Sequence, residues 1–195
     1  SPRRGQPRNY GWVGGYGVSA NVSGDGNAAG FNYGFGGISL GVDRYVGGNT
    51  VVGLAGGYAN TSLHTDNQQQ TAQVDSYQGA LYASRVTDRR YLLGIFGYNY
   101  DSYGTTRQLP ANLTARGSFD GHQLGTYVES GLMRRWGAWN WQPSIGMQYI
   151  SLRQDGFTET GAGGAGLNAL GHTDDSFRGN VGLRFPRPTQ VAGFL

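Results

Sequence analysis

Side-chain character alternates from one residue to the next along most of this chain, and this pattern restricts its fold more than any other feature. In the segment WQPSIGMQYIS, residues 141–151, large apolar side chains alternate with polar or small ones. A period of two is typical of β-strands, whose successive side chains point to opposite faces. Glycine contributes 36 residues spread through every segment, and each costs about 1 kcal/mol relative to alanine inside a helix. The sequence therefore predicts an all-β fold.

The alternation predicts eight strands joined by connections that alternate in length. The predicted strands lie near residues 10–22, 31–46, 50–63, 72–86, 90–103, 117–134, 139–154 and 175–185. The short connections are 47–49, 87–89 and 135–138, and the long polar ones are 23–30, 64–70, 104–116 and 154–174. Short turns at one end and long loops at the other are typical of outer-membrane barrels. We therefore expect an antiparallel up-and-down transmembrane β-barrel rather than a soluble β-sandwich.

Composition excludes several other classes of protein. The chain has no cysteine, which excludes a disulfide framework and cysteine-ligated metal sites. No run of eighteen apolar residues is present, so the sequence predicts no transmembrane helix. All 15 basic residues are arginine, and a net charge of +3 is too small and too dispersed to indicate nucleic-acid binding. Arginine binds phosphate through two nitrogens, so outer-membrane lipid, including lipopolysaccharide, is an expected partner.

Aromatic residues concentrate near the short-turn end of the predicted strands. In outer-membrane barrels, such residues form a girdle at the membrane–water interface. The alternative is that they are ordinary core aromatics of a sandwich. The predicted girdle consists of Tyr10, Trp12, Trp136, Trp139 and Trp141, with Tyr91 and Phe185 nearby.

Glu129, one of two glutamates in the chain, lies in the middle of a predicted strand. It shares parity with small and polar residues, whereas Val128 and Leu132 fall on the opposite face. A carboxylate facing lipid would be costly, so Glu129 is predicted to face a hydrated lumen. Its acid either pairs with a lumenal arginine, for which Arg178 is the candidate, or simply solvates the wall. The full lumen-facing polar set is Asp43, Glu129, Gln142, Gln148, Arg178 and Arg184.

Taken in order, these segments resemble the C-terminal translocator domain of classical autotransporters, the type V secretion family. Residues 11–63 resemble the first three strands of that family, with Trp12 leading and a Gly-x-Asp pattern ending at Asp43. YQGALYAS resembles the fourth strand, YNYDSYGTTR the fifth, and LGTYVESGLMRRWGAWNWQPSIGMQYI the sixth and seventh. FTETG, residues 157–161, matches the Phe-x-Glu-x-Gly element of the family, and SFRGNVGLRF resembles its eighth strand.

The resemblance implies a barrel that inserts into the outer membrane and exports and anchors an N-terminal passenger at the cell surface. It implies the passenger, the barrel-assembly machinery and periplasmic chaperones as partners. The lumen-facing polar set would then line the pore or hold the passenger helix. The family barrel has twelve strands, so this chain is expected to be either a piece of one or a complete eight-stranded relative. The expected divisions are a linker at 1–9, the barrel at 10–185, and a tail or further strand at 186–195.

Two other functions fit parts of the sequence. A small closed barrel would have a structural or adhesive role through its long loops. A hydrolase at the barrel rim would use Asp120 with His122, or His172 with Asp174 and Asp175, with histidine as the base. Because no constrained spacing links these residues, we expect solvated loop side chains and no enzyme activity. The sequence predicts no metal or cofactor site.

Overall fold

The computed structural model describes residues 9–25, 29–47, 49–65, 70–136 and 139–185, with the backbone alone for Trp136 and Trp139. Strands dominate this part of the chain. In order they are β1 (Asn9–Val22), β2 (Phe31–Gly47), β3 (Thr50–Thr65), β4 (Gln70–Val86), β5 (Arg90–Leu109), β6 (Leu113–Leu132), β7 (Arg134–Trp136), β8 (Trp139–Gln154), β9 (Phe157–Thr158), β10 (Asn168–Ala169) and β11 (His172–Arg184). The expected linker and tail lie outside the described residues, apart from Asn9, which opens β1.

Eight of these strands form one antiparallel sheet in the order β1-β2-β3-β4-β5-β6-β8-β11. Each strand between β1 and β11 therefore pairs with the long strands that precede and follow it in the chain. β7 adds a short ladder to β8, and β9 pairs with β10. Within the described residues, β1 and β11 are the two edges of the sheet. The prediction of an all-β, antiparallel up-and-down fold is confirmed. The described residues contain no helix that is long and apolar enough to cross a membrane.

The predicted loop at 104–116 is wrong, because most of it is strand. β5 and β6 continue as a tall hairpin, with Leu109 paired to Leu113 around a 3-10 turn at Pro110–Asn112. The alternation of apolar and polar residues fades in this extension because both faces are polar there. Alternation of apolar and polar residues depends on one face being apolar, so it cannot reveal a strand whose two faces are both polar.

The long connection between β8 and β11 is also folded rather than open. The backbone amide of Asp155 donates to the carbonyl of Asp120, and Arg116 and Thr160 exchange two backbone hydrogen bonds of 2.9 Å. The chain beyond β8 thus runs beside β6, while β9 and β10 continue the β8–β11 hairpin. Residues 161–166, GAGGAG, form the closing turn and bury Ala162 at 2% exposure.

Strand register sorts the side chains onto two chemically different faces. We call one of them the outer face. On this face of β4, the distance from Asp75 to Arg85 is ten residue steps, or about 34 Å along the strand. At a tilt near 45° this spans about 25 Å, the height of the lipid-facing band of outer-membrane barrels. The other, inner face carries glycine, alanine and polar side chains. Exposed apolar residues of the outer face come from every long strand: Val13, Leu40, Leu54, Leu81, Phe96, Val128, Ile145 and Val181.

On the inner face, glycines make room for large side chains of the neighbouring strand. The ring of Trp12 in β1 lies over Gly41, where an added Cβ would come within 2.6 Å of it. The ring of Tyr82 in β4 lies over Gly53, where a Cβ would come within 2.2 Å. The two side chains meet above β2 and β3, where the indole Nε1 of Trp12 donates to the Tyr82 hydroxyl at 2.9 Å.

A second bridge has the same construction. The ring of Tyr16 in β1 lies over Gly37, and the amide of Gln78 in β4 lies over Gly57. The Nε2 of Gln78 donates to the Tyr16 hydroxyl at 2.6 Å. Strands β1 and β4 are thus joined by two side-chain bridges that cross the intervening strands.

Candidate functional site on the inner face

The register places all six residues of the lumen-facing polar set on the inner face. Across β8 and β11, Arg178 pairs with Gln148 and Arg184 pairs with Gln142. The six do not form one cluster, however. The structure brings Glu129 and Arg184 together, whereas Asp43 on β2 lies four strands away from β6.

Glu129 is the centre of the polar cluster at the short-turn half of the inner face. Its side chain is 8% exposed. The Tyr91 hydroxyl donates to Oε1 at 2.6 Å and the Tyr127 hydroxyl donates to Oε2 at 2.5 Å. A guanidinium nitrogen of Arg184 lies 3.5 Å from Oε1, while 62% of the Arg184 side chain stays exposed. The two phenols therefore hold the carboxylate, and the arginine is its loose partner.

Two glycines leave the space that allows the two tyrosine hydroxyls to reach Glu129. Tyr91 lies over Gly131 on the paired strand, where an added Cβ would come within 2.3 Å of its ring. Gly146, which pairs with Glu129, leaves space for the Tyr127 hydroxyl, and a Cβ there would come within 2.9 Å of that oxygen. The cluster therefore depends on small residues beside the carboxylate as much as on the carboxylate itself.

The arginine partner of Glu129 differs from the predicted one. Arg184, rather than Arg178, approaches the carboxylate. Asp43 instead accepts a hydrogen bond from the Tyr82 hydroxyl at 3.1 Å, and among the described residues no arginine lies within ion-pair distance of it. Strand parity identifies the face on which a side chain lies. It does not identify which of the two arginines on β11 comes close enough to contact Glu129.

The structure corrects part of the predicted aromatic girdle. Tyr10 pairs with Asp43 and Trp12 with Gly41, so both lie on the inner face. Tyr91 is also there, bound to Glu129. Trp141 shares parity with Ile145 and Val181 on the outer face, as a girdle residue should. The side chains of Trp136 and Trp139 lie outside the described part of the chain.

A band of tyrosines that sequence reasoning missed lies on the outer face toward the long-loop ends. The Tyr58 hydroxyl donates to Asp75 at 2.5 Å, and the Tyr149 hydroxyl donates to Asp175 at 2.9 Å. Phenols with an apolar ring and a polar partner above it are suited to a membrane–water boundary. The register of the β3–β4 hairpin would have revealed this band, because it pairs Tyr58 directly with Tyr77.

The second glutamate forms another polar cluster near the long-loop end of the inner face. Arg107 donates from its terminal nitrogen to Glu159 at 2.6 Å, with side-chain exposures of 23% and 5%. The same arginine reaches the carbonyl of Ala165 at 3.3 Å, and the backbone amide of Leu167 donates to Glu159 at 2.9 Å. These bonds fasten the closing turn of the β8–β11 hairpin onto the β5–β6 hairpin.

Stacked aromatic rings join the same two hairpins as that ion pair. Tyr103, Phe119 and Phe157 form a ladder with ring centroids 4.6 Å apart at each step and nearly parallel planes. Phe157 lies over Gly117, where a Cβ would come within 2.7 Å of the ring. Gly161 has a positive φ of 77°, which favours glycine. The Phe-x-Glu-x-Gly element therefore has three structural roles: a stacked ring, a paired carboxylate and a turn residue.

The surroundings of Glu159 also set its protonation. The hydrogen bond from Arg107 is the main cause that lowers the pKa of Glu159 below its ordinary value, and the Leu167 amide adds to it. Burial acts in the opposite direction but is outweighed. Glu159 is therefore ionised wherever an ordinary glutamate is.

The histidines that a rim hydrolase would need lie in different surroundings. His122 is on the outer face, where its Nδ1 lies 2.7 Å from the Tyr98 hydroxyl. His172 contacts Asp174 at 3.1 Å, and both side chains are more than half exposed. Strand parity places His172 on the inner face, so the two histidines point to opposite sides of the sheet. Within the described ranges, no group of acids and histidines is arranged to hold a metal ion.

Comparison with known proteins extends these observations. The family model for the autotransporter beta-domain matches residues 11–193. An extracellular serine protease from Serratia marcescens is 25% identical over 179 residues, which cover 90% of this chain and 17% of that protein. This chain therefore spans about a sixth of the length of that relative, and the word protease describes the relative as a whole.

Two solved structures share the fold. The translocator domain of the autotransporter NalP from Neisseria meningitidis has a TM-score of 0.74 at 21% identity, covering 95% of this chain and 62% of that one. The beta domain of the Bordetella autotransporter BrkA has a TM-score of 0.68 at 15% identity, covering 95% of this chain and 74% of that one. At these identities the likeness establishes the strand architecture.

Proposed function

The chain belongs to the autotransporter beta-domain family, and we propose that its inner face guides a passenger segment during export. It is an outer-membrane translocator domain that serves the export of a linked passenger. The proposal adds which surface contacts that passenger and which side chains do so.

A row of small residues across the inner face carries this proposal. Each residue in the row is the direct cross-strand partner of the next, so together they make a smooth surface over four adjacent strands, β3 to β6. A polypeptide moving past this row meets no side chain of the row larger than a methyl group, while the Trp12–Tyr82 and Tyr16–Gln78 bridges cross the sheet nearer β1. The row consists of Ala55, Ala80, Gly97 and Gly125; it stops short of Gly41, which the Trp12 ring covers.

The polar residues elsewhere on the inner face would contact the passenger. Arg184 is the strongest candidate, because most of its side chain is exposed and its link to Glu129 is long. An exposed arginine can exchange a 3.5 Å contact for a carboxylate or carbonyl of a passing segment at little energetic cost. Asp43, Gln142, Gln148 and Arg178 would line the remainder of the path.

Further partners follow from an outer-membrane location. We propose that lipopolysaccharide and phospholipid surround the outer face, and that the barrel-assembly machinery and periplasmic chaperones deliver the chain. We also propose that the domain itself is not catalytic. The described histidines and acids show no arrangement of nucleophile and base that a hydrolase requires.

Surface display of the passenger tests the proposal. Gly125→Trp places a large ring in the small-residue row, and an added Cβ at this position meets no atom within 4 Å. The domain should therefore still fold, while the passage narrows. In full-length protein with an epitope in the passenger, Gly125→Trp should sharply reduce the passenger fraction accessible to external protease.

Gly179→Trp is the matched control. Gly179 also has open space around an added Cβ, but it lies on the outer face. It should leave display unchanged, with heat-modifiable electrophoretic migration confirming that both variants fold. Equal display by the two folded variants would reject the inner face as the export surface.

A further inference from the structure

The outer face contains a groove that the export function does not use. It has a volume of about 900 Å³, within the roughly 300–1,000 Å³ of small-molecule sites. Its floor is formed by Ala83 and Gly94, which are direct cross-strand partners on β4 and β5. Its walls are the exposed apolar side chains Val42, Leu54, Leu81, Phe96 and Val128.

The groove exists because two small residues, Ala83 and Gly94, lie next to each other among large side chains. An added Cβ at Gly94 meets no atom within 4 Å, so the space above it is open. On a face that meets lipid, such a gap must be filled, since unfilled volume forfeits the dispersion contacts of every atom that lines it. An apolar chain is the occupant that this lining favours.

Positive charge lies at one end of the groove. Arg44 is among its lining residues and pairs with Val52 in the same cross-strand row as Ala83 and Gly94. Arg85 follows Ala83 by two residues on the same face of β4. Two strand spacings and two residues separate Arg85 from Arg44, about 12 Å between Cα atoms, so both side chains can reach one phosphate.

Nearby acids do not neutralise this end. Asp43 also lines the groove, but its carboxylate accepts from Tyr82 on the inner face. Asp88 lies in the adjacent β4–β5 turn, and no ion pair in the described part of the chain joins it to Arg44 or Arg85. The groove therefore combines an apolar trough with an unneutralised pair of arginines at the short-turn end.

We infer that this groove binds one phospholipid, with an acyl chain over Ala83 and Gly94 and its phosphate between Arg44 and Arg85. Short turns lie at the periplasmic end of outer-membrane barrels, so the lipid belongs to the periplasmic leaflet. The guanidinium groups supply bidentate hydrogen bonds to the phosphate. This site is independent of passenger export, because it lies on the opposite face from the small-residue row.

Lipid titration by native mass spectrometry tests this site. The full-length protein, folded in a phosphate-free detergent, is titrated with dipalmitoyl phosphatidylglycerol and separately with dipalmitoylglycerol, which lacks the phosphate. The wild type should bind one phosphatidylglycerol about tenfold more tightly than dipalmitoylglycerol, the effect of gaining charge-assisted hydrogen bonds. Millimolar inorganic phosphate should not displace it, because phosphate alone cannot fill the trough.

Two variants separate the contributions of charge and trough. The double variant Arg44→Gln with Arg85→Gln should remove the preference for phosphatidylglycerol while leaving dipalmitoylglycerol binding intact. Gly94→Leu should fill the trough and weaken both lipids. Gly179→Leu and Arg116→Gln are the controls: Gly179 lies in the same cross-strand row as Gly94 but three strands away, and Arg116 lies at the long-loop end.

Several results would overturn the inference. Unchanged binding in the double arginine variant would exclude a phosphate-specific site, and that test stands even if Gly94→Leu fails to fold. Equal affinities for Gly94→Leu and Gly179→Leu would show that the trough holds no chain. A dimer in the wild type that Gly94→Leu dissolves would identify the occupant as a second copy, and full displacement by inorganic phosphate would reduce the site to an anion contact.

Discussion

The two glutamates of this chain both make their contacts on the inner face of the main sheet, Glu129 from within β6 and Glu159 from the loop after β9, yet their surroundings differ in kind. Glu129 is held by two tyrosine hydroxyls, with Arg184 long and exposed beside it. Glu159 is held by a close arginine and a backbone amide, two residues after Phe157 of the stacked aromatic ladder. The first arrangement leaves an arginine free to change partner, whereas the second occupies its arginine fully. One cluster is suited to contacting a passing segment, and the other to holding a hairpin closed.

Removing Arg107 should give the largest effect, because Glu159 would remain as a buried carboxylate without its cation. Breaking such a pair costs about 3–5 kcal/mol. In Arg107→Ala we expect residues 155–171 to lose most of their protection in amide hydrogen exchange, while β1 to β4 keep theirs.

Arg153→Ala provides the control for this comparison. Arg153 approaches Asp155 at 3.9 Å, and both side chains are at least half exposed. Such a pair contributes about 0–1 kcal/mol, so hydrogen exchange in the same hairpin should stay near the wild-type rate. Similar losses in both variants would mean that the ladder, rather than the ion pair, holds the hairpin.

Glu129→Ala should have the next largest effect. It removes the acceptor of two phenol hydrogen bonds, and hydrogen bonds to a charged group contribute about 1.5–3 kcal/mol each. Because water can reach part of the vacated site, we expect a total loss of about 2–3 kcal/mol. The midpoint of urea unfolding in detergent measures it, and an unchanged midpoint would mean that Glu129 only solvates the wall.

Gly131→Ala tests whether space beside the carboxylate matters as much as the carboxylate. The added Cβ would come within 2.3 Å of the Tyr91 ring, and overpacking of this kind costs about 1–3 kcal/mol. Gly125→Ala, on the same strand and face, meets no atom within 4 Å. Urea unfolding should therefore separate the two variants, with only Gly131→Ala destabilised.

Acidification should loosen the Glu159 cluster in a defined direction. Its folded pKa lies below the ordinary value, so its stabilisation is complete above the unfolded glutamate pKa of about 4.3. That stabilisation is lost as pH falls through the lower folded pKa. Hydrogen-exchange protection of residues 155–171, corrected for intrinsic rates, should decline in this acid range in the wild type and change less in Glu159→Gln.

Arg184→Gln should have the smallest effect on stability. The arginine is largely exposed and 3.5 Å from Glu129, and such contacts contribute about 0–1 kcal/mol. If Arg184 instead serves the passenger, surface display should fall while the unfolding midpoint stays constant. A midpoint shift as large as that of Glu129→Ala would make Arg184 part of the cluster and remove the contrast between the two glutamates.

Much of the fold could be predicted because one face of each long strand is apolar. Alternation in segments such as 141–151 fixed strand identity, and parity correctly placed residues as far apart as Asp43 and Arg184 on one face. The prediction failed where this asymmetry ends. In 104–116 both faces are polar, so a paired hairpin has the composition of a loop.

The partners within the site could not be predicted from parity alone. Whether Glu129 meets Arg178 or Arg184 depends on the register between β8 and β11 and on side-chain reach. Trp12 was assigned to a girdle by its height along the strand, although its face is set by Gly41 on the neighbouring strand. Such assignments need the identity of the cross-strand neighbour, which a single strand does not contain.

The two side-chain bridges from β1 to β4 have a mechanical consequence. A strand held to its neighbour only by a backbone ladder can detach one hydrogen bond at a time. Here β1 is also fastened to β4 through Trp12 with Tyr82 and Tyr16 with Gln78, so peeling β1 away from β2 requires both bridges to break as well. Under a pulling force applied at the N-terminal side, β1 to β4 should therefore leave the membrane in a single rupture.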